Sequence, residues 1–382
     1  MSHFDLALVG FGAAAMSLAV RLAEGYPGRI AVIEPRRLPR DDQTWCGWRL
    51  RNHPFIDQAT RCWSSWAVSH RGASVTRSSK ALPYEMLRAS AVQARALAAI
   101  EGRPDWQLYA EDTLVAATPT ARGWCLHLGS GTDIEATQVL DSRPPALDMT
   151  RPWLWQSFIG REITGDGLDG NGPVRLMDFL ADDAPVVNFL YELPIAEGRR
   201  LIELTRFTPV KPAPDELAAR LDTLLAERGY GGHAVAREEH GNLPMAPLDA
   251  PGEPGWMPIG TAGGSMRPAT GYAFHAIQAW ADQCAAALKR GDGPIAPTRR
   301  GWLDWLDGVF LESLRGGDGA SAADQFLALF RRTPPDALER FLMSEPRPRD
   351  LWSVLRALPV TPMLAAASRY SCRPRQRPRT QA

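Results

Sequence analysis

The stretch Asp5–Leu22, DLALVGFGAAAMSLAVRL, decides the fold of the N-terminal part of this chain. It opens with an apolar strand, passes through Gly10–Ala15, which fits the pattern G-x-G-x-x-A, and continues with a helical pattern. Gly10 permits a tight turn, Gly12 lets a pyrophosphate approach the backbone, and Ala15 allows the helix to pack on the strand. Because a helix N-terminus carries partial positive charge, the segment predicts a dinucleotide-binding turn.

The next strand, RIAVIEP, ends in an acid that supports this interpretation. Glu34 stands nineteen residues after Ala15, where a carboxylate accepts hydrogen bonds from a ribose. An acid at this point favours an unphosphorylated ribose, so FAD or NAD rather than NADP, and the N-terminal position is typical of a flavoprotein. A glycine turn that binds no ligand is the alternative.

A second glycine-rich segment, PIGTAGGSMRPATGYAFHAIQAW, covers residues 258–280 and also has the pattern of strand, glycine turn and helix. A nicotinamide-binding fold does not need it, whereas flavoproteins of the hydroxylase type use such a segment to bring a helix N-terminus to the flavin. Their motif has Asp after the first glycine, and this chain has Thr261 there. A simple loop-to-helix cap is the alternative interpretation.

The length and the charge balance indicate a two-domain protein without a nucleic-acid partner. A chain of 382 residues is long enough for about two domains. The 43 basic residues equal the 43 acidic ones in number, so there is no excess of positive charge for binding nucleic acid. The five cysteines are scattered and no Cys or His pair has metal-ligand spacing, so we expect a reducing cytosol and no metal site. Residues 6–20 are apolar, but Asp5 and the glycines argue against a signal peptide, and the run is too short to span a bilayer.

The rest of the chain alternates between strand and helix patterns, which together predict an α/β fold. The predicted segments are a loop at 36–56, an amphipathic helix at 84–102, several short strands at 105–143, a β-rich region at 156–240 with a hairpin of 186–194 and 199–207, helices at 271–290 and 301–370, and a basic, Pro-rich end at 371–382.

Within the predicted hairpin, the stretch RRLIELTRF contains one acid in an apolar run. Strand alternation puts Ile202 and Leu204 on one face, and the other face receives Leu201, Glu203, Thr205 and Phe207. Glu203 therefore shares a face with large apolar side chains. It is either a solvated surface charge, as isolated acids on strands usually are, or an acid placed in a pocket for chemistry.

Further blocks follow one another along the chain: QTWCGW, WLWQSFIGREI, VRLMDF, NFLYELPIAEGRRLIELTRF, REEHGNLPMA, GGSMRPATGYAF and ALERFLMSEPRPRDLWSVLRALPVTPMLAAA. Together with the N-terminal dinucleotide segment they resemble, in the same order, the bacterial lycopene β-cyclase family of flavoproteins. Each block alone is modestly specific, but the ordered series is much more so. The resemblance covers nearly the whole chain.

The resemblance implies a fold like that of p-hydroxybenzoate hydroxylase. This is an α/β (α+β) architecture with a Rossmann-like FAD-binding domain, a β-sheet substrate domain and a C-terminal helical region. The assigned ranges are 1–60, 84–150 and 255–295 for the FAD-binding domain, 61–83 and 151–254 for the substrate domain, 296–370 for the helical region and 371–382 for a disordered basic tail.

The resemblance also implies an activity. The expected enzyme is an isomerase, an intramolecular lyase, that closes the ψ-ends of lycopene into β-ionone rings with reduced FAD and no net redox change. NAD(P)H is then the expected external reductant, and the expected location is cytoplasmic, peripherally attached to the inner face of the plasma membrane. The family has a second acid after the Glu of the LIE-x-T block, where this chain has Leu204, which leaves γ-carotene or a modified end group open as the substrate.

Ring closure of this kind sets requirements for the site. An alkene is a very weak base, so its protonation needs an acid of raised pKa in a dry cavity and electron-rich groups beside the developing cation. Burial raises the pKa of a carboxyl, and Glu203 is flanked by Leu201 and Leu204. The resemblance maps the family's catalytic Glu onto Glu203, and Asp178 on a neighbouring predicted strand is a second candidate.

Two further groups of site residues are predicted. The substrate residues are Trp45, Phe189, Tyr191 and Tyr272, since aromatic faces can stabilise a cation. Asp178 and Tyr191 can equally be structural hydrogen-bonding residues. The predicted cofactor-binding residues are Gly10, Gly12, Ala13, Ala15, Glu34, Thr44, Asp141, Gly260, Gly263, Gly264, Thr270 and Gly271.

Two other functions stay open from the sequence. One is a flavin-dependent monooxygenase, or a related flavoenzyme, acting on another isoprenoid, and the other is a non-catalytic carotenoid- or flavin-binding protein. A long apolar carotenoid is the expected partner, and the sequence indicates no oligomeric state. Arg331 and Arg332, with the arginines of the tail, either meet anionic lipid headgroups or are merely solvated.

Overall fold

The computed structural model describes residues 1–144, 154–180, 187–248, 252–317 and 319–372, so most of the predicted tail lies outside the described residues. The strands are β1 (Ser2–Val9), β2 (Ile30–Glu34), β3 (Thr44–Trp48), β4 (Ala59–Trp63), β5 (Ser65–His70), β6 (Ala73–Ser78), β7 (Tyr84–Arg88), β8 (Gln107–Ala110), β9 (Leu114–Thr120), β10 (Gly123–Leu128), β11 (Asp133–Asp141), β12 (Leu154–Thr164), β13 (Val174–Phe179), β14 (Val187–Ala196), β15 (Arg199–Thr208), β16 (Ala234–Met245) and β17 (Trp256–Pro258). The helices are α1 (Ala13–Leu22), α2 (Ala89–Glu101), α3 (Pro214–Glu227), α4 (Phe274–Lys289), α5 (Gly301–Arg315), α6 (Gly319–Arg332), α7 (Ala337–Leu342), α8 (Pro348–Ala357) and α9 (Val360–Ser371).

The first sheet carries the N-terminal dinucleotide segment. Its strand order is β8-β2-β1-β11-β10-β9, with β17 also paired to β11, and β8, β2, β1, β11 and β17 run parallel. Leu6 and Leu8 of β1 pack with α1 and α4, while Ala7 and Val9 face the other side. The predicted strand, turn, helix and strand, and with them the α/β class, are confirmed, because β1 and β2 are buried parallel strands joined by α1.

The second sheet has the strand order β16-β12-β15-β14-β13-β5-β6 and is antiparallel except between β13 and β5. The predicted hairpin is confirmed as β14 and β15. Leu201 and Phe207 face the main core, whereas Ile202 and Leu204 face α3, so the predicted alternation is also confirmed. The helix α3 lies inside a region predicted as β-rich and was not anticipated.

A small third sheet, β3-β7-β4, lies between the cores of the other two and corrects two predictions. The helix predicted over 84–102 is wrong at its start, because residues 84–88 form β7 and only α2 is helical. Tyr84 and Met86 of β7 are buried in the main core, and Leu87 in the core around α1. The loop predicted at 36–56 contains β3. Both strands are stabilised by pairing with each other, which is not visible in either segment alone.

The C-terminal part is helical, as predicted for 301–370. Phe326 of α6 packs on Phe179 of the second sheet, so these helices cover the main core. Among the described residues no single helix is long and apolar enough to cross a bilayer, and α8 with α9 meets that test only as a pair bent by 106°. The assigned domain boundaries stay a prediction.

Candidate functional site

Gly10 lies between β1 and α1 in a conformation that glycine adopts without strain. Its φ is +81°, and a Cβ there would lie 2.7 Å from Ser142 Oγ. Ser142 Oγ donates hydrogen bonds to the carbonyl oxygens of Val9 and Gly10, which ties the turn to the segment after β11. A side chain at residue 10 would therefore displace the turn.

Glu34 is buried at the end of β2, and its carboxylate reaches the same turn. The Phe11 N–H donates to Glu34 Oε2 at 2.7 Å, and Arg36 donates to Glu34 Oε1 from its backbone N–H and its Nε. Gly12 is the N-cap of α1, and among the described residues no side chain caps this helix. The N–H groups at the start of α1 are therefore free of a capping side chain, as a phosphate-binding turn requires.

The second glycine-rich segment packs directly against the first. Gly260 has a φ of +62°, and a Cβ on it would lie 3.2 Å from Ala14 Cβ in the first turn of α1. The Ile259 N–H donates to the Asp141 carbonyl oxygen at 2.8 Å, and Val9 pairs with Asp141 on the other side of β11. Two segments far apart in the sequence thus form one glycine-lined cradle, and the residues present fit a dinucleotide.

The other predicted cofactor residues lie at different distances from this cradle. Ala13 and Ala15 belong to α1, and the Asp141 carboxylate forms an ion pair with Arg143 at 2.7 Å. Thr270 and Gly271 lie farther along, where the loop before α4 meets the second sheet, since a Cβ on Gly271 would lie 3.0 Å from Gln156 Oε1. The second turn itself contains Gly263 and Gly264.

Glu203 lies in the middle of β15, opposite Gly160 of β12 and Tyr191 of β14. Its Oε1 accepts a hydrogen bond from Thr205 Oγ1 at 2.7 Å, and among the described residues it has no ion-pair partner. Burial, followed by the charge of Glu239, raises the pKa of Glu203 to about 8. The carboxyl is therefore protonated near neutral pH and can donate a proton.

The wall around this acid is aromatic and polar. Tyr84 Oη lies 2.8 Å from Tyr191 Oη and 3.3 Å from Tyr272 Oη. The Trp48 ring packs edge-on against Tyr84 and Tyr272, with centroids 4.9 Å and 6.0 Å apart. Cys46 forms a side-chain hydrogen bond with Tyr191, and burial raises the pKa of the Cys46 thiol. The wall thus combines electron-rich faces with neutral hydroxyl and thiol groups.

Glu203, Tyr191, Tyr272 and Cys46 all retain some accessible area although protein surrounds each of them. Accessible area on side chains that protein surrounds indicates that they line an interior cavity rather than the outer surface. Burial also raises the pKa of Tyr191 and Tyr272, so both phenols are neutral here. Two of the four predicted substrate residues therefore lie beside the predicted acid.

Glu239 of β16 is a second carboxyl on this face of the sheet. Its Oε2 accepts a hydrogen bond from Thr44 Oγ1 at 2.7 Å, and Arg237 NH1 donates to the same oxygen at 2.8 Å. Arg237 NH2 also donates to Thr44 Oγ1 at 2.6 Å. Thr44, predicted to bind the cofactor, is therefore placed against the carboxyl pair of the second sheet.

Two predicted site residues, Asp178 and Trp45, lie away from the acid. Asp178 pairs in register with Leu190, which packs with Leu204 on the α3 face, so its carboxylate lies on the side opposite Glu203. There it accepts a hydrogen bond from Ser69 at 2.6 Å and forms an ion pair with Arg228 at 2.6 Å. Trp45 is stacked on Phe274 in the core around α1. Phe189 lies on the same face of the sheet as Glu203, two residues before Tyr191 on β14, and its ring packs against Phe179 and Phe207.

A buried cluster of His53, Glu85 and His275 has ligand atoms within 4.8 Å of one another. The Phe55 N–H donates to His53 Nδ1 at 3.2 Å, so His53 Nε2 carries the hydrogen that it shares with Glu85 Oε1 at 2.7 Å. A ring nitrogen that carries hydrogen does not ligate a metal. Burial lowers the pKa of His275 to about 4, so its ring is neutral. The arrangement is that of a hydrogen-bonded pair, His53 with Glu85, and the neutral ring of His275 lies beside it with 3.6 Å between its Nε2 and Glu85 Oε1.

Sequence reasoning missed several residues of the acid wall. Glu239 stands in the quoted block REEHGNLPMA, but the block contains two adjacent acids, and only the register shows which one faces Glu203. Tyr84 was not recognised as a site residue because the segment 84–88 was predicted to be helical and not a strand of the third sheet. Cys46 is in the quoted block QTWCGW, and the alternation of β3 puts it on the face opposite Trp45. No sequence signal indicated Gly160.

Comparisons with known proteins identify the family of the chain. A family model described as "Lycopene cyclase protein" matches residues 5–368. The chain is 26% identical to lycopene beta-cyclase of Pantoea ananas over 382 aligned positions, which cover 95% of this chain and 97% of the relative.

Similar solved structures show the same fold at low identity. A geranylgeranyl bacteriochlorophyll reductase-like protein of Thermoplasma acidophilum has a TM-score of 0.64 at 14% identity, covering 94% of this chain and 96% of that one. A mutant of halogenase PltM in complex with FAD has a TM-score of 0.59 at 13% identity, covering 89% of this chain and 82% of that one. The chain therefore has the fold of FAD-binding monooxygenases and reductases, and since the family model spans nearly all of it, it belongs to the lycopene cyclase protein family.

Proposed function

We propose that the protein cyclises the ψ-ends of lycopene, or the one remaining ψ-end of γ-carotene, to β-ionone rings. The observation that carries this proposal is Glu203, a carboxyl without an ion-pair partner among the described residues, in an interior cavity with an aromatic wall. Burial raises its pKa to about 8, so the acid form that an alkene requires is present at neutral pH.

The reaction is an isomerisation in which atoms and electrons balance. Glu203 gives its proton to the terminal C=C bond, and the internal C=C bond attacks the resulting cation to close the ring. A ring proton is then lost to the Glu203 carboxylate, which restores the acid. The rings of Tyr191 and Tyr272 offer faces that stabilise a cation, by roughly 0.5–2 kcal/mol each. Burial of the cavity keeps water from capturing the cation.

FAD is the proposed cofactor, held by the cradle of Gly10, Gly12 and Gly260 with Glu34 at the ribose. Bound reduced FAD would supply negative charge to a carbocationic transition state, and NAD(P)H is the proposed external source of its electrons. Two observations support this proposal. No side chain caps the start of α1 among the described residues, and Gly10 leaves no room for a side chain. Gly10→Ala should lower the flavin content of purified protein, and Gly25→Ala, at another positive φ where a Cβ meets nothing within 4 Å, is the matched control.

The deciding experiment is expression in a lycopene-accumulating host with analysis of the pigments, followed by assay of purified protein without oxygen and with pre-reduced FAD. We expect β-carotene or γ-carotene, an isomer with unchanged mass. Unchanged lycopene from well-expressed, flavin-loaded protein would overturn the proposal. A product that needs oxygen and gains an oxygen atom would instead support the monooxygenase alternative.

We also propose that α8 and α9 contact the membrane that holds the carotenoid, as a peripheral attachment. Trp352, Val360 and Leu364 are 63%, 68% and 66% exposed. Over 346–372 the exposed charged residues are Arg347, Arg349, Arg356 and Arg369. An apolar cavity of about 280 Å³, lined by residues of α5, α6, α8 and α9, extends to Thr270 beside Tyr272.

Vesicle flotation tests this contact. Trp352→Gln combined with Leu364→Gln should reduce binding to anionic vesicles, since it removes apolar area from the contact surface. Val115→Gln is the matched control, because Val115 is 64% exposed on β9. Equal binding by the double variant and the wild type would contradict this part of the proposal.

A further inference from the structure

Gly160 of the central strand β12 stands between the two carboxyls of the site. In the register of the second sheet it pairs with Glu203 of β15 on one side and with Glu239 of β16 on the other. A Cβ on Gly160 would lie 3.4 Å from Glu203 Cβ and 3.3 Å from Glu239 Cγ. The two acids thus flank a residue without a side chain, on one face of the sheet.

The two carboxyls differ in their partners. Glu239 accepts hydrogen bonds from Thr44 at 2.7 Å and from Arg237 at 2.8 Å. Glu203 has only the Thr205 hydroxyl at 2.7 Å among the described residues. Burial raises the pKa of Glu239 too, but the Arg237 guanidinium and the Thr44 hydroxyl oppose that shift, whereas Glu203 has only the Thr205 hydroxyl. When the pair holds one proton, Glu203 therefore carries it.

Leu204 does not provide the second acid of this site. It is fully buried on the α3 face with Leu217 and Leu221, so a carboxyl at residue 204 would point away from Glu203. The second acid beside Glu203 comes from β16 instead.

We propose that Glu239 is a positioning residue that keeps Glu203 in its acid form, as a carboxylate held in place across Gly160 by Arg237 and Thr44. This inference rests on the proposed cyclase function. It assigns proton donation to Glu203 and the fixed negative charge to Glu239, so the environments of two chemically identical groups divide the roles.

Other groups act on Glu203 as well. Arg237 opposes the effect of Glu239, and the hydrogen bond from Thr205 lowers the pKa of Glu203. Among the described residues, the titratable groups around it on the packed elements are Glu239 and Arg237 of β16, Tyr191 of β14, Cys46 of β3, Tyr84 of β7, whose pKa burial also raises, and Tyr272 of the loop before α4. Burial raises the pKa of Tyr191, Tyr272 and Cys46, so they are neutral and Glu239 is the group whose loss matters most.

The test is the pH dependence of Glu239→Gln. Removing the fixed charge, while Arg237 remains, makes Glu203 easier to ionise. The upper limit of the pH range for cyclisation should move down by about one unit or more, so the rate above that limit falls about tenfold or more. The infrared C=O band of the protonated Glu203 carboxyl, assigned by its loss in Glu203→Gln, should disappear at correspondingly lower pH and needs no substrate.

The matched control is Glu238→Gln. Glu238 directly precedes Glu239 on β16, so its side chain lies on the opposite face of the sheet, where it forms an ion pair with Arg161 at 2.8 Å. The Glu238→Gln variant should leave both the pH limit and the infrared titration unchanged. Glu239→Asp, which keeps the negative charge, should have a pH limit and an infrared titration close to those of the wild type. If Glu239→Gln does not fold, Thr44→Val is the second variant, and it should move the limit in the same direction by less.

The proposal is overturned if active Glu239→Gln, or Thr44→Val in its place, has the wild-type pH limit, or if Glu238→Gln moves the limit equally. A wild-type enzyme without cyclisation would instead count against the proposed function, and the infrared titration would still test the role of Glu239.

Discussion

Glu203 and Asp178 are both carboxyl side chains of the second sheet, and they lie on its two opposite faces. Glu203 faces the cavity with a single hydroxyl donor, and burial raises its pKa to about 8. Asp178 faces α3, where Arg228 at 2.6 Å and the Ser69 hydroxyl satisfy it. The same chemical group is thus the proposed proton donor on one face and a structural ion-pair partner on the other.

The difference shows that the partners of a carboxyl, more than its residue type, decide its role. A carboxyl beside a cation is stabilised in its charged form and acts as an ion-pair partner. A carboxyl that is buried from water without a paired cation keeps its proton and can act as an acid. Four predictions test how far this contrast holds.

The largest effect is expected for Glu203→Gln. The amide keeps the shape of the side chain but carries no acidic proton, so cyclisation should fall by at least about 100-fold. Flavin content and the unfolding midpoint should stay near those of the wild type. Pigment analysis with the same expression level checks this, and near-normal activity would move the acid to another residue.

Leu204→Glu should damage the other face of the sheet without adding a catalytic acid. The new carboxyl would be buried against Leu217 and Leu221, which costs about 3 kcal/mol in the free energy of unfolding. Leu204→Met, with similar volume, should cost less than about 1.5 kcal/mol. Denaturant unfolding compares the two, and a Leu204→Glu protein of wild-type stability would show that this face is more open than the packing indicates.

The pH dependence of wild-type cyclisation should follow the protonated form of Glu203. Because burial raises this pKa to about 8, the acid form is present below that pH and is lost above it. The rate should therefore be level towards neutral pH and fall about tenfold per unit above about pH 8. Anaerobic initial rates with pre-reduced FAD measure this, and a rate that rises through this range would contradict the assignment of Glu203 as the acid.

The smallest effect is expected for Asp178→Asn. It removes a partly exposed ion pair, so the free energy of unfolding should fall by about 1 kcal/mol or less. Cyclisation should stay within about twofold of the wild type, since the side chain is on the α3 face. A loss as large as that of Glu203→Gln would show that the two faces are not functionally separate.

The features that could be predicted from sequence are those determined by neighbouring residues. The turn at Gly10–Ala15, the acid at Glu34 and the hairpin of β14 and β15 follow from local backbone geometry and from periods of two and 3.6 residues. The face of Glu203 follows from the same period, since Leu201 and Phe207 pack in the main core. The expected reaction and the expected role of Glu203 as the acid came from the resemblance to the cyclase family.

The tertiary structure decided what depends on pairing between distant segments. Residues 84–88 have a helical pattern, and only the neighbouring strands β3 and β4 make them β7. The assignment of Asp178 to the α3 face depends on its register with β14. Neither property is encoded within the segment concerned, because hydrogen-bonded register is set by the partner strand.

The sequence by itself determined the dinucleotide turn, the β-hairpin and the side of the sheet on which Glu203 stands, because each depends on residues close together in the chain. Only the tertiary structure brought Glu239, Thr44 and Gly160 to Glu203. Glu239 and Glu203 lie close together because β12 pairs with β15 on one side and with β16 on the other. The register between strands so far apart in the sequence is set by the packing of the whole sheet.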